Sequence, residues 1–237
     1  SRMRAAQING FGDKEVMKVV SDAPKPTSGE GQVLVEAHAA SINPFDWKLM
    51  SGQAGNQLPL PATLGGDVAG TVAEVGAGVE GFEIGQEVYG QANAMGGQGS
   101  FAEFTPVKVT SLGSKPTNTD FVTAAALPLT AVSAYQALID TLHLSTGQKI
   151  LIHGGAGGIG SLAIQLAKHL GAYVATTASP EDIEHVRQLG ADEIIDYTSE
   201  KFEKRLHDYD AVYDTIGGDT YTRSFDILKP GGQIVSM

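Results

Sequence analysis

The sequence predicts an α/β protein in two parts, a β-rich first half followed by a doubly wound parallel sheet. Short alternating runs bounded by glycine and proline crowd the first half, with few helical stretches between them. From about residue 120 the rhythm changes, and apolar strands alternate with amphipathic helices. Within that second part, Gly155-x-Gly157-x-x-Gly160 follows a strand and opens a helix, the context in which such a turn cradles a dinucleotide.

Taken in order, Ser1-Arg2-Met3-Arg4 leads directly into alternating sequence, with no apolar leader core. A Pro/Gly-rich turn at Pro24 to Gly31 precedes a strand at Gln32 to Ala37. Val68 to Val75 and Glu87 to Tyr89 read as further strands, with Gly76, Gly78, Gly81 and Gly85 marking turns. Asp120 to Ala126 reads as a short helix and Thr130 to Leu142 as a longer one. Lys149 to His153 is a strand, and Ile159 to Leu170 a helix ending at Gly171. Tyr173 to Thr177 is the next strand, and Pro180 to Leu189 a helix ending at Gly190. Glu193 to Asp196, Ala211 to Asp214 and Gln233 to Met237 supply three more strands.

Composition narrows the function classes. Of 237 residues, 42% are hydrophobic and 18% charged, which suits buried cores and argues against disorder. A net charge of -11 repels phosphate backbones and anionic lipid, so neither nucleic acid nor membrane is an expected partner. The absence of cysteine excludes disulfides, thiolate metal sites and a thiol nucleophile. The most apolar window, Ala124 to Ile139, carries Pro128, Thr130, Ser133 and Gln136 and falls short of the roughly 20 apolar residues of a spanning helix. A soluble, cytoplasmic protein is expected.

The glycine turn has a steric logic. Gly155 is expected to let the strand turn sharply, Gly157 to let backbone approach a pyrophosphate, and Gly160 to let the helix pack on the strand. Ala156, Gly158 and Ile159 complete the cradle, where free N–H groups and the helix dipole meet the anion. The following strand ends Thr176-Thr177-Ala178-Ser179 without the carboxylate that usually reads an NAD ribose. A 2′-phosphate fits there, so NADPH is the expected cofactor, with Thr177 and Ser179 as contacts. Glu181 and Asp182 follow closely, and Ser179-Pro180-Glu181-Asp182 is equally a well-formed helix start with Ser179 as its cap. Lys168 and Arg187 are possible cationic partners or solvated helix charges.

A set of further motifs runs through almost the whole chain. Ser41-Ile42-Asn43-Pro44-Phe45-Asp46-Trp47-Lys48 is followed by Leu64-Gly65-Gly66-Asp67-Val68-Ala69-Gly70, then Gly99-Ser100-Phe101-Ala102-Glu103-Phe104 and Ala125-Ala126-Leu127-Pro128-Leu129-Thr130-Ala131. After Gly154 to Gly160 come Leu189-Gly190-Ala191-Asp192, Asp196-Tyr197, Asp214-Thr215-Ile216-Gly217-Gly218 and Lys229-Pro230-Gly231-Gly232. In these the chain resembles the medium-chain dehydrogenase/reductase superfamily, in its zinc-independent quinone oxidoreductase branch.

The resemblance implies a GroES-like β-rich catalytic domain over residues 1–118 and a Rossmann nucleotide-binding domain over 119–237. It implies family members that continue past Gln233 to Met237 and return to the catalytic domain, a segment not contained here. Asn43 stands where zinc relatives place Cys, and Gly66-Asp67 where they place a His-Glu pair, so no metal site is expected. The activity implied is zinc-free hydride transfer from NADPH to quinones or related carbonyl acceptors. An enone or enoyl-thioester reductase is the alternative, as is a nucleotide-binding redox sensor or structural protein without significant turnover.

Asn43 and Asp46 are the catalytic candidates. Asn43 would face nicotinamide and substrate, against the alternative of an Asn-Pro turn; Asp46, near Lys48, could move a proton or simply hold its loop. Ser133 matches a family position near the nicotinamide ribose, or is a helix serine bonded to its own backbone. Tyr197 matches a position near the adenosine end, or is a half-buried anchor. Ile216 and Gly217 follow a strand at its carboxyl end, where open parallel sheets bind ligands. His153 is read mainly as packing, and Phe45 and Trp47 as pocket lining or core. The resemblance also implies a homodimer paired through the edge of the Rossmann sheet.

Overall fold

A computed structural model describes residues 1–55 and 57–237. The chain divides into two units, Ser1–Leu129 and Thr130–Met237. The first contains β1 (Arg2–Ile8), β2 (Met17–Pro24), β3 (Gln32–Ala40), α1 (Pro44–Ser51), β4 (Ala62–Thr63), β5 (Asp67–Val75), β6 (Glu87–Gln91), β7 (Phe104–Lys108), β8 (Leu112–Ser114) and α2 (Phe121–Ala125). Its strands form two antiparallel sheets, in the orders β2-β1-β4 and β7-β3-β5-β6-β8. Val33, Val35, Val68, Val72, Val88 and Val107 form one buried cluster of the larger sheet, where β-branched side chains suit a pleated surface.

Two differences from the sequence-based expectation have clear causes. The segment after Asn43 is a helix and not only a turn: Pro44 starts it and Gly52 ends it at φ 82°. Only Asp46, Leu49 and Met50 of its eight residues are buried, too few to impose a helical period on the sequence. The division between units lies at Leu129, beyond the boundary expected after residue 118. The reason is packing, since Ala124 and Ala125 of α2 bury against Ala69 of β5.

The second unit contains α3 (Pro128–Tyr135, which begins just before it), β9 (Lys149–Ile152), α4 (Gly158–His169), β10 (Tyr173–Ala178), α5 (Ile183–Gln188), β11 (Glu193–Asp196), β12 (Tyr209–Asp214), α6 (Asp219–Ser224) and β13 (Leu228–Ser236). Its sheet is parallel throughout, in the order β11-β10-β9-β12-β13. Successive strands add outward on one side of β9 and then on the other, so the order reverses between β9 and β12. Ligands bind at such a reversal, outside the carboxyl ends of the strands. Along β9 the side chains alternate between two cores: Ile150 and Ile152 join one, Leu151 the other. Both faces are therefore buried, which explains the unbroken apolar strand sequences. The helix expected over Thr130 to Leu142 is α3 followed by a π-helical turn at Gln136–Thr141. No helix among the described residues is long and apolar enough to cross a membrane.

Candidate functional site

The turn after β9 divides its glycines by task. The left-handed backbone lies at Gly154 (φ 66°), one residue before the position expected to make the sharp turn. Gly155 is required for a different reason: a Cβ there would run into the Thr176 hydroxyl and sit 2.7 Å from Ile164 Cδ1. A Cβ on Gly160 would collide with the Gly154 carbonyl and stand 3.0 Å from Gly155 Cα, so this glycine packs the helix against the turn that follows β9 and not against the strand itself. Both are buried, whereas Gly157 and Gly158 are exposed. A Cβ on Gly157 meets only the Gly154 oxygen, at 3.3 Å. The first intrahelical bond of α4 runs from Ser161 N–H to Gly157 O, leaving the amides of Gly158, Ile159 and Gly160 ahead of it without helical partners. An anion is the natural partner for that end.

The turn opens onto a groove of about 840 Å³ lined by Ala156, Gly157, Thr177, Ser179, Asp182, Tyr197, Lys201, Ile216 and Arg223, among others. Ala156, Thr177, Ser179, Tyr197 and Ile216 thus come together as expected. Tyr197 is 60% exposed and is no half-buried anchor. The Ser179 hydroxyl donates to Asp182 Oδ2 at 3.0 Å, so a carboxylate stands in the groove beside the residue expected to meet a 2′-phosphate. The side chain of Ile159 packs against the core, leaving its backbone to the cradle.

Other expected contacts lie elsewhere. Ser133 does not line the groove; its carbonyl accepts from the Tyr213 hydroxyl at 3.4 Å. Gly217 lines a neighbouring hollow with Tyr221 and Met237. The amides of Ile216 and Gly217 both donate to Asp214 Oδ1 at 3.0 Å, which fixes the turn after β12.

Lys201 and Arg223 carry no motif and were not foreseen. Arg223 is committed, making a forked pair with Glu203 at 2.9 and 2.7 Å and a second contact to Asp219. Lys201 differs: among the described residues its ammonium forms no ion pair or hydrogen bond. His153 lies 1% exposed in the groove floor, and burial pushes its pKa down to about 4.

The first unit has its own polar cavity of about 440 Å³, lined by Asn43, Phe45, Asp46, Asp67 and Met95, among others. Asp67 is fully buried and organises it. Its Oδ2 accepts from Ser41 Oγ at 2.8 Å and Asn43 Nδ2 at 3.1 Å, and its Oδ1 accepts from Leu129 N–H at 3.0 Å. Asn43 Nδ2 also donates to Ser41 Oγ at 3.3 Å, so neither of its amide protons is left over in this arrangement. Asp46 accepts from Asn43 N–H at 2.8 Å, holding the start of α1. Burial raises both carboxyl groups above the ordinary range, and Asp67 raises Asp46 further. Phe45 lines the cavity; Trp47 does not. Among the described residues no group of three His, Cys, Asp or Glu side chains is arranged to hold a metal ion.

Residues 29–117 match the alcohol dehydrogenase GroES-like domain, and residues 158–237 match the zinc-binding dehydrogenase family. The chain is 42% identical over 243 residues to a 2-methylene-furan-3-one reductase of Solanum lycopersicum, an alignment covering 99% of this chain and 62% of that protein. Identity is also 42% over 243 residues to a chloroplastic NADPH-dependent alkenal/one oxidoreductase of Arabidopsis thaliana, again over 99% and 62%. The solved quinone oxidoreductase of Coxiella burnetii superposes with a TM-score of 0.90 at 37% identity, covering 100% of this chain and 75% of that one. The chain thus spans 62% of the length of the first two relatives.

Proposed function

Because the chain belongs to the medium-chain dehydrogenase/reductase superfamily, in its quinone oxidoreductase branch, we propose that it is a reductase of quinones or enones that draws its hydride from NADPH. One observation carries the assignment: the exposed Gly157 backbone lines a groove of about 840 Å³ and stands at the head of α4, whose first-turn amides have no helical partners. Burial of Gly155 and Gly160 explains those two glycines, whereas Gly157 and Gly158 are exposed and a Cβ on either would meet a single atom at 3.3 Å.

When bound there, the coenzyme supplies a hydride. The chain's own residues bind and orient. The α4 amides hold the pyrophosphate, and Tyr197 and Lys201 supply a ring and a free cation for the adenosine end. Lys201 favours a 2′-phosphate, as does the NADPH dependence named for the Arabidopsis relative. Asp182 opposes it, so NADPH selectivity is modest. The cavity of the first unit takes the acceptor, with Phe45 and Met95 as apolar lining. Asn43 and Asp46 fix one another there, and Asn43 donates to an acceptor oxygen only after release from Asp67. Polarisation is without zinc, since Asn43 and Gly66 offer none of its preferred nitrogen or sulfur ligands. The enone reading has its own support in the alkenal/one and methylene-furanone specificities named for the two plant relatives.

Titration of the protein with NADPH and NADH, followed by nucleotide fluorescence, tests the assignment. Saturable binding of NADPH, at most several-fold tighter than NADH, is expected. Failure to bind either dinucleotide would sink it.

A further inference from the structure

His153 stands just after β9, where sequence alone suggests packing, yet for a neutral ring its hydrogen bonds admit one arrangement of protons. Ser224 Oγ lies 2.6 Å from the Thr220 carbonyl, which can only accept, so the serine proton points there. Ser224 Oγ must then accept from His153 Nε2–H, at 2.9 Å. On the other side, Thr177 Oγ1 accepts the Gly154 amide at 3.0 Å and turns its own proton to His153 Nδ1, at 3.4 Å. A directed chain results: Gly154 N–H to Thr177 O–H to His153, and His153 N–H to Ser224 O–H to the backbone of α6. The ring is held edge-on against Phe202, 4.7 Å between centroids, and the His153 carbonyl accepts from Thr215 Oγ1 at 2.7 Å.

We propose that His153 is a positioning residue for the coenzyme: as a neutral imidazole carrying its proton on Nε2, it fixes Thr177 and, through Thr177, the Gly154 amide from which the glycine turn departs. The proposal rests on the groove being the coenzyme site. The chain ties β9, β10, the glycine turn and α6, four segments that meet at the groove floor. Gly154 is the residue with the left-handed backbone, so a shift of its amide moves the cradle that follows. The charged groups that act on the ring are Asp214 on β12, Arg223 on α6 and Glu203 on the turn that precedes β12. Arg223 is paired with Glu203. Asp214 already accepts the amides of Ile216 and Gly217 through Oδ1, and neither of its oxygens hydrogen-bonds the imidazole.

Three substitutions separate positioning from packing. His153→Asn keeps an acceptor for the Thr177 hydroxyl and loses the donor to Ser224. His153→Gln can keep the donor and loses the acceptor, and His153→Phe loses both. Equilibrium NADPH binding, measured by fluorescence on folded protein, is expected to weaken less than threefold for Asn and at least tenfold for Gln and Phe. Turnover at saturating NADPH and KM for the acceptor are expected to stay within twofold. Equal weakening by all three, or none by any, would overturn the proposal. Wild-type protein that binds no dinucleotide would overturn the functional assignment as well. Long-range proton–nitrogen NMR of the wild-type imidazole needs no variant: a protonated Nε2 and a bare Nδ1 at pH 7 are expected, and the opposite tautomer would overturn it.

Discussion

Adding one methyl group at each of two glycines should separate binding from folding. At Gly157 the backbone is φ −71°, ψ 170°, a conformation alanine adopts freely, and the new Cβ would meet one oxygen at 3.3 Å. Losing glycine at a helix cap and gaining from a stiffer unfolded chain nearly offset, so stability should change by less than about 1 kcal/mol. On the proposed assignment, the methyl would occupy the space a pyrophosphate needs. Displacing one charge-assisted amide bond costs roughly 1.5–3 kcal/mol, or about 10- to 150-fold in Kd. Gly160→Ala behaves oppositely. Its Cβ would collide with the Gly154 carbonyl, 2.8 Å from the Gly154 carbon, and these are backbone atoms that cannot rotate away. Overpacking of this kind costs about 1–3 kcal/mol, near 2–4 °C in Tm for each kcal/mol at this size. Thermal melts and NADPH titrations of both variants decide the matter. A folded Gly157→Ala protein that binds NADPH as the wild type does would refute the division of labour, and so would a Gly157→Ala melt as depressed as that of Gly160→Ala.

Three further outcomes are expected. His153 has its folded pKa lowered to about 4 from an unfolded value of 6.5, so the unfolded chain binds more protons between those limits. Its contribution is unchanged above pH 6.5 and about 3 kcal/mol is lost by pH 4, which denaturant titrations of wild type against His153→Phe should show as a difference. Asp46 and Asp67, with raised folded values, act in the opposite sense over the carboxyl range, and the difference curve removes them. Asp182→Ala removes a negative charge from the groove and should shift selectivity toward NADPH by about fivefold, roughly 1 kcal/mol; competitive binding of the two dinucleotides measures it. Asp67→Asn turns an amide toward Ser41, Asn43 or the Leu129 N–H and leaves buried donors unmatched, for about 1–3 kcal/mol of stability; an unaltered melt would count against the network.

Much of the second unit was legible because its signals are local. Apolar strands, the glycine spacing and Ser179-Pro180 follow from short-range rules, and β11 matches its expected limits of Glu193 and Asp196. The first unit was less legible: β2, β4, β7 and β8 lack strong alternation, and β4 and β7 owe their pairing to distant partners, β1 and β3. The site divides in the same way. The glycine turn could be named in advance from its spacing between a strand and a helix, although Gly155 owes its need for glycine to Thr176 on the next strand. The Arg223–Glu203 pair and the Asp67 network could not, because they act across 20 or more residues of sequence, and Asp67 reaches Leu129 over 62. The double commitment of the Asn43 amide was likewise invisible, since it depends on Ser41 and Asp67 approaching together.

Oxidation of NADPH by the protein, with a quinone and a 2-alkenal offered in parallel and no metal added, is the most direct test of the proposed activity. Turnover of NADPH with at least one of the two acceptors, undiminished by a zinc chelator, is the expected result. Tight NADPH binding with no oxidation by either acceptor would contradict it and leave a nucleotide-binding protein without reductase activity.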